Sequence, residues 1–364
     1  MYRLLREILY STTRKCPVES HKTPVGLHRL SRRCATRGAK IGSKSGLGYF
    51  CVAAEAAVAL YSYLWGMLLE SFSGWGELAK EGGIPLWQVV LNYEIHQKGR
   101  SEEEIWARLE QVYAVMVEAV RSGLSEPRQT LSGLVRDSGK KVWGASVEVI
   151  HPRFRKLLAY ALAAKETNAC MGRVVAAPTA GASGIMPGVL LFLEEEHGIE
   201  RRRLYEAMLI AAGVALIIEQ KASISGAVGG CQAETGTAAA MAAAAITYAL
   251  GGTNEMIFEA VAITIMNMMG LICDPVAGLV ELPCVKRNGS AVVIAAAAAQ
   301  MALAGDTAVI PVDEIVVAMG EVGASMDPRY KETALGGTAA TPTAKAIAQK
   351  LWTDPTHIRY ENPE

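Results

Sequence analysis

Long alanine-rich stretches, separated by short breaks of glycine and proline, constrain the fold of this chain more than any other feature. The stretches 236–247 and 291–302 are apolar almost all round, so we expect both to be central helices. No run of residues shows the sustained apolar–polar alternation of a half-buried strand. The chain is therefore predicted to be all-α, with many helices joined by short Gly/Pro loops.

The same periodicity places the individual helices. From residue 151 onward it predicts helices at 153–170, 184–197, 201–219, 233–250, 254–270, 290–304 and 312–324. Upstream it predicts one helix at 84–99 and another at 101–121. Ser101 and Glu104 form a capping-box pattern at the start of the second, and Gly123 is expected to end it.

Charge divides the chain into two parts. Residues 1–45 hold eleven Lys/Arg and two Asp/Glu, whereas the remaining 319 residues hold 25 and 34. The acidic body has no basic stripe, so we do not expect it to bind nucleic acid. Residues 1–66 are expected to be a disordered or spurious extension, with a nucleic-acid arm or a targeting peptide as alternatives. Residues 67–364 are expected to be the folded domain.

Membrane insertion and secretion are not expected. The apolar stretch 50–69 approaches the length of a membrane span, but Glu55 interrupts it, so we interpret it as a helix or spurious sequence. The chain has seven cysteines, an odd number, and it does not begin with a secretory signal. A reducing cytoplasm is therefore the expected location.

A small-residue loop at 178–184 precedes one of the predicted helices. Amides at a helix N-terminus suit a carboxylate or a phosphate, and the hydroxyls of Thr179 and Ser183 add donors beside Gly181. The loop lacks the lysine of a P-loop, which disfavours a nucleotide. A tight interhelical turn without a ligand is the alternative interpretation.

Three cysteines lie in two further breaks, 221–236 and 273–289. Cys231 and Cys273 are separated by 41 residues, and Cys273 and Cys284 by 10. This spacing is a weak metal signal, because free cysteine often serves as a small core residue. Each cysteine nevertheless lies in a Gly- or Pro-containing break, and Lys286 and Arg287 follow the last one. Three thiolates can hold an iron–sulfur cubane and leave one iron open.

Four motifs in series give the chain a family resemblance. They are AAPTAGASGIMPG at 176–188, GGCQAE at 229–234, CDPVAGLVELPCVKRN at 273–288 and ALGGTAATPT at 334–343. Together they resemble the catalytic alpha subunit of bacterial iron–sulfur L-serine dehydratases, over about residues 67–350. The resemblance implies an all-helical catalytic domain that converts L-serine to pyruvate and ammonia.

The resemblance also implies a cofactor and a set of site residues. Cys231, Cys273 and Cys284 match the three ligands of the family's [4Fe–4S] cluster, whose fourth iron is left for the substrate. The loop with Thr179, Gly181 and Ser183 is the candidate site for the substrate carboxylate. Ser223 and Ser225 are further substrate-binding candidates.

Two features of single-chain family members are missing from this sequence. There is no Ser-Ser-His-Thr motif, of which residues 20–23 are only a chance lookalike, and no cysteine follows Cys284. Both absences fit the two-subunit form of the enzyme, with a separate beta subunit as partner. The catalytic base is then unknown and is expected on either chain.

Three other interpretations remain open at this level. An L-cysteine desulfidase or an L-threonine-preferring dehydratase would use the same cluster. A pyridoxal phosphate enzyme would need a Schiff-base lysine, for which Lys221 is the one suggestive candidate. A non-catalytic helical protein would use the three cysteines only for packing.

Overall fold

The computed structural model describes residues 69–125, 129–130, 132–147 and 149–353. Within these ranges the chain forms thirteen α-helices and no strand, apart from isolated bridges at Gln129–Arg136 and Cys273–Lys331. The predicted all-α fold is confirmed. The helices are α1 Phe72–Gly82, α2 Leu86–Lys98, α3 Glu102–Ser125, α4 Ser138–Trp143, α5 Pro152–Ala169, α6 Ile185–His197, α7 Arg201–Lys221, α8 Gly226–Gly229, α9 Thr237–Ala249, α10 Asn254–Met268, α11 Cys284–Leu303, α12 Val312–Ser325 and α13 Pro342–Thr353.

Helix α9 lies at the centre of the fold. Twelve of its thirteen residues are buried, and it packs against α6, α7, α10 and α11. Its alanine side chains are short, so four neighbouring helices can approach it closely. The prediction that 236–247 forms a central helix is therefore confirmed.

Helix α11 differs from its prediction in two ways. It begins at Cys284, six residues before the predicted start at 290. Its 291–302 stretch is buried on one face only, because Ala297 and Gln300 are exposed and Val293 is half-buried. Apolar composition indicated a helix here, but alanine is neutral enough to lie on either face.

Helix α3 packs along α5. Its predicted capping box is present: the Ser101 amide donates to Glu104 Oε2 at 2.9 Å, and the Glu104 amide donates to Ser101 Oγ at 3.2 Å. Gly123 does not end the helix, which continues to Ser125. A Cβ at Gly123 would lie 2.2 Å from the Ala163 carbonyl oxygen, so the glycine permits a close helix crossing instead.

Helices α1, α4, α8 and α13 were not predicted from the sequence. Helix α1 begins at an N-cap, Ser71, and buries Phe72 and Trp75 completely. The Trp75 indole donates to the Leu86 carbonyl at 3.0 Å, and the Phe72 amide donates to Asp313 Oδ1 at 2.8 Å. These contacts join α1 to both the start of α2 and the start of α12.

In the part of the chain that the structure describes, no helix is long and apolar enough to cross a membrane. The basic segment 1–45, and all but the last residue of the apolar stretch 50–69, lie outside the described residues.

Candidate thiol and carboxylate site

The three candidate cysteines converge from the two predicted breaks, one before α9 and one between α10 and α11. Cys231 lies between α8 and a single π-helical turn, Gln232–Gly236, that leads into α9. Cys273 follows α10, and Cys284 is the first residue of α11. All three side chains are buried, at 1, 2 and 5 % exposure. The sequence separation therefore gave no measure of their proximity.

Two of the cysteines form a tight group with a carboxylate. The sulfur atoms of Cys231 and Cys273 and a carboxylate oxygen of Glu234 all lie within 4.8 Å of one another. Cys284 is outside this group but close enough for charge interactions. The charge of Cys231 raises the pKa of Cys284, and the charge of Cys284 raises the pKa of Cys273. Glu234 was not predicted from the sequence; it lies in the π-helical turn, a feature that is frequent at functional sites.

Hydrogen bonding and burial give the three thiols different pKa values. A hydrogen bond from the Cys273 thiol lowers the pKa of Cys231, and the same bond raises the pKa of Cys273. Burial raises the pKa of Cys284 to about 12, against the opposing effect of Lys165. Cys231 is therefore the thiol that loses its proton most readily, as a metal ligand must.

Arg287 is the first cation that contacts the thiols. Its guanidinium donates to Cys231 Sγ at 3.5 Å and to the Ile272 carbonyl at 2.9 Å, and it forms an ion pair with Asp274 Oδ1 at 2.8 Å. The neighbouring Lys286, which also follows Cys284 in the sequence, has a different partner. Lys286 is exposed and donates to Ser138 Oγ at 2.6 Å, because one residue along a helix turns a side chain to another face.

Lys165 is the second cation at the site, and no sequence pattern predicted it. It lies inside α5 and is completely buried. Burial lowers its pKa, while the negative charges of Cys284, Glu234 and Cys231 raise it. Its ammonium donates to Asn168 Oδ1 and, at 3.2 Å, to the Ala180 carbonyl in the predicted substrate loop.

The predicted loop at 178–184 lies directly against Glu234. The Thr179 hydroxyl donates to Glu234 Oε1. A Cβ at Gly181 would lie 2.3 Å from the same oxygen, so only glycine lets the loop approach this carboxylate without displacing it. The structure thus brings Thr179 and Gly181 together with the thiols through a residue that the sequence analysis did not select.

The amides at the start of α6 are only partly available for a ligand. Asn288 accepts from the Gly184 amide at 2.9 Å and donates to the Gly181 carbonyl at 2.9 Å, so α11 holds this loop in place. Ser183 is fully buried, and its hydroxyl has no hydrogen-bond partner among the described residues. A buried hydroxyl without a partner is unfavourable, which makes Ser183 the loop's available donor.

Ser223 and Ser225 lie just before α8, next to a glycine that faces the thiols. The Ser225 amide donates to Ser223 Oγ at 3.0 Å, and Ser225 begins the short helix α8. The next residue, Gly226, faces the site: a Cβ there would lie 3.3 Å from Cys273 Sγ and 3.4 Å from a carboxylate oxygen of Glu332. Burial raises the pKa of Glu332, a second carboxylate that sequence analysis missed.

The fourth sequence motif holds the Cys273 loop in place. Thr338 donates from its amide to Asp274 Oδ2 at 2.6 Å and from its hydroxyl to the same oxygen at 2.7 Å. The Cys273 amide donates to the Tyr330 carbonyl at 2.7 Å, and the Glu332 amide donates to the Cys273 carbonyl at 2.9 Å. The segment 334–343 therefore supports the site without supplying a ligand.

The pyridoxal phosphate alternative has no support from this geometry. Lys221 is exposed at the end of α7, which does not fit a Schiff-base lysine in a cofactor pocket. The described histidines, His96, His151 and His197, lie at helix ends and do not belong to the metal-ligating group.

The fold and the site together define an all-α protein with a buried thiol centre. A family profile described as the serine dehydratase alpha chain matches residues 81–339. The L-serine dehydratase alpha chain of Peptoniphilus asaccharolyticus is 41 % identical over 274 residues, which cover 74 % of this chain and 94 % of that protein. A probable L-serine dehydratase alpha chain of Bacillus subtilis is 40 % identical over 76 % of this chain and 93 % of that protein. The chain belongs to the serine dehydratase alpha chain family.

The match to a longer relative covers a smaller share of the relative than of this chain. The L-serine dehydratase of Streptomyces coelicolor is 38 % identical over 72 % of this chain but only 58 % of that protein. The remaining part of that relative has no counterpart in the aligned region of this chain.

Proposed function

We propose that this chain is the catalytic subunit of an enzyme that deaminates L-serine to pyruvate and ammonia. The observation that carries the proposal is the convergence of three buried thiols, two cations and two carboxylates on one site in a chain of this family. The reaction removes the α-proton and the hydroxyl of serine as water. The aminoacrylate released tautomerises to an imine, which water hydrolyses to pyruvate and ammonia.

The donor set fits an iron–sulfur cluster held by Cys231, Cys273 and Cys284. Thiolates are the usual ligands of such clusters, and buried thiolates need nearby cations, which Arg287 and Lys165 provide. When bound, a [4Fe–4S] cluster with three protein ligands supplies an open iron that acts as a Lewis acid on the serine hydroxyl.

The chain's own groups have separate tasks around the substrate. The loop with Thr179, Gly181 and Ser183 binds the substrate carboxylate, for which the unpartnered Ser183 hydroxyl is the most direct donor. Ser223 and Ser225, which precede the glycine that faces Cys273, are the secondary candidates.

A separate beta subunit is proposed to complete the site. This chain aligns with only 58 % of the Streptomyces coelicolor relative, which fits an enzyme whose second part is a separate chain. In addition, no histidine among the described residues belongs to the metal-ligating group. The catalytic base is accordingly sought on the partner as well as at Glu234 and Glu332. We propose a cytoplasmic location, because reducing compartments keep free thiols such as these available as ligands.

L-Cysteine and L-threonine are the competing substrates. Each keeps the amino and carboxylate groups of serine and differs at the β-carbon, so the same loop would bind all three. Turnover of each amino acid by one preparation ranks them directly.

Anaerobic purification of the chain with its beta partner tests the proposal. We expect a brown protein that contains iron and sulfide, forms pyruvate from L-serine and loses iron in air. A colourless, iron-free and inactive preparation would support a non-catalytic helical protein instead. Efficient turnover by the cluster-loaded chain alone would contradict the proposed need for a partner.

A further inference from the structure

Lys165 is a fully buried lysine whose ammonium form has no paired counter-charge in the described part of the chain. Its side chain is completely buried, and its two hydrogen-bond acceptors, Asn168 Oδ1 and the Ala180 carbonyl, are both neutral. Within the described part of the chain no carboxylate forms an ion pair with it. Burying an ammonium group without a counter-charge is strongly unfavourable, so such a lysine requires an explanation.

The neighbouring carboxylate in the sequence does not provide the counter-charge. Both oxygens of Glu166 are taken by the start of α4, where they accept from the Ser138 amide at 2.6 Å and the Gly139 amide at 2.8 Å. The negative charges that do act on Lys165 come from Cys284, Glu234, Cys231 and Glu281, with Cys284 first among them. The ammonium therefore lies in the field of the thiol site.

The two cations at the site are not equivalent. Arg287 already has a carboxylate partner in Asp274, at 2.8 Å, so its charge is balanced whether or not the thiols are ionised. Lys165 has no such partner. Of these two groups, only Lys165 needs an anionic occupant of the thiol site for its charge to be balanced.

We propose that Lys165 is the charge-balancing residue of the thiolate-held group, and that it links this group to the substrate loop through the Ala180 carbonyl. The inference rests on the proposed function, because the anion that it balances is the cluster with its thiolates. Lys165 is a positioning residue: it acts through Cys284 and the loop rather than on the substrate. Its charge should matter for cluster binding and not for folding of the empty chain.

Two substitutions separate the charge of Lys165 from its hydrogen bonds. Lys165→Met removes both, while Lys165→Gln removes the charge and keeps an amide that can reach Asn168 and the Ala180 carbonyl. Lys286→Met is the matched control, because Lys286 follows Cys284 in the first turn of α11 but is exposed and bonded to Ser138. All variants are compared with the full chain, purified anaerobically with its partner.

The measurements are the thermal midpoint of the metal-free protein, iron affinity by chelator competition, and the midpoint potential of the loaded cluster. For both Lys165 variants we expect an unchanged or higher midpoint without metal, and iron affinity about 10- to 100-fold weaker, as is usual when an outer-shell partner is lost. We expect the cluster potential to become more negative, since a nearby positive charge favours the reduced cluster. Lys286→Met should match the wild type in all three measurements.

The outcomes distinguish this inference from the proposed function. A wild-type protein that binds no cluster overturns both. A wild-type protein that binds the cluster, with Lys165 variants of equal iron affinity and potential, overturns the role of Lys165 alone. If both Lys165 variants unfold or lose thermal stability without metal, the lysine is needed for the fold itself, and the charge-balancing role is wrong.

Discussion

At the residue scale, the three thiols differ in their hydrogen bonds and burial, and therefore in how readily each loses its proton. Cys231 has a hydrogen bond from Cys273 and one from Arg287, whereas Cys284 is buried with a pKa raised to about 12. Of the three thiols, Cys231 therefore loses its proton most readily. Binding of a metal centre must displace the remaining protons, which makes cluster assembly release protons and depend on pH.

Replacement of Cys231, Cys273 or Cys284 by serine, one at a time, should abolish L-serine turnover and release iron. Three ligands are the fewest that hold a cubane while leaving one iron open, so none is dispensable. Cys170→Ser is the control, since Cys170 is a half-buried cysteine whose thiol donates to the Gln129 carbonyl. Iron content and pyruvate formation check the result, and a variant that keeps both would lose its place among the ligands.

Gly181→Ala should impair activity more than stability. The new Cβ would meet both carboxylate oxygens of Glu234, at 2.3 and 2.6 Å, and would push a movable side chain rather than backbone. Displacement of a site group by about 1 Å can cost roughly 100-fold in rate. We expect kcat/KM to fall on that order while the thermal midpoint changes little. A large loss of thermal stability with normal kcat/KM would show that the glycine serves folding instead.

Sequence patterns selected the candidate ligands but not all of the groups around them. The cysteines and the loop at 178–184 lie in glycine- and proline-containing breaks, which are visible in one dimension. Lys165 lies inside a regular helix, and Glu234 inside a short π-helical turn, so neither is marked by composition. Their roles depend on which helices pack together, and no periodicity in a single sequence contains that information.

At the scale of the element, α11 shows why boundaries were harder to predict than helices. The polar run Lys286–Gly289 falls in the predicted break at 273–289. It is helical because its side chains have fixed partners. Asn288 bonds to the loop at 178–184, and Arg287 bonds to Cys231. Just before this run, Val285 packs with Val135 and Leu162. Tertiary contacts outweigh local propensity here, and the helix begins at the cysteine itself.

The α3–α5 crossing gives an element-scale prediction. Gly123→Ala would place a Cβ 2.2 Å from the Ala163 carbonyl oxygen and 2.9 Å from its Cα, so the backbone of one helix must move. We expect a destabilisation of about 1–3 kcal/mol or more, as for overpacking of a core. Gly144→Ala is the control, since its Cβ would meet its nearest neighbour at 3.4 Å. Denaturant unfolding of both variants checks it, and equal stabilities would contradict the close crossing.

At the scale of the whole molecule, the family match and the folded unit do not begin at the same residue. The family profile starts at residue 81, but α1 precedes it and packs into the core. Phe72 and Trp75 are fully buried, and both rings contact Phe258 of α10. A boundary drawn from the family match alone would therefore cut through the hydrophobic core.

Two truncations test where the folded unit begins. We propose that residues 67–364 form the complete domain, because this segment keeps α1 and the Phe72–Asp313 hydrogen bond. It should match the full chain in thermal midpoint and in iron content when purified anaerobically with its partner. The segment 84–364 loses Phe72 and Trp75, and truncating one large buried aromatic typically costs about 3–5 kcal/mol, so it should aggregate or melt far earlier. Equal stability of 84–364 would show that α1 is dispensable. Aggregation of 67–364 would show that residues 1–66 pack on the domain and that the boundary lies upstream.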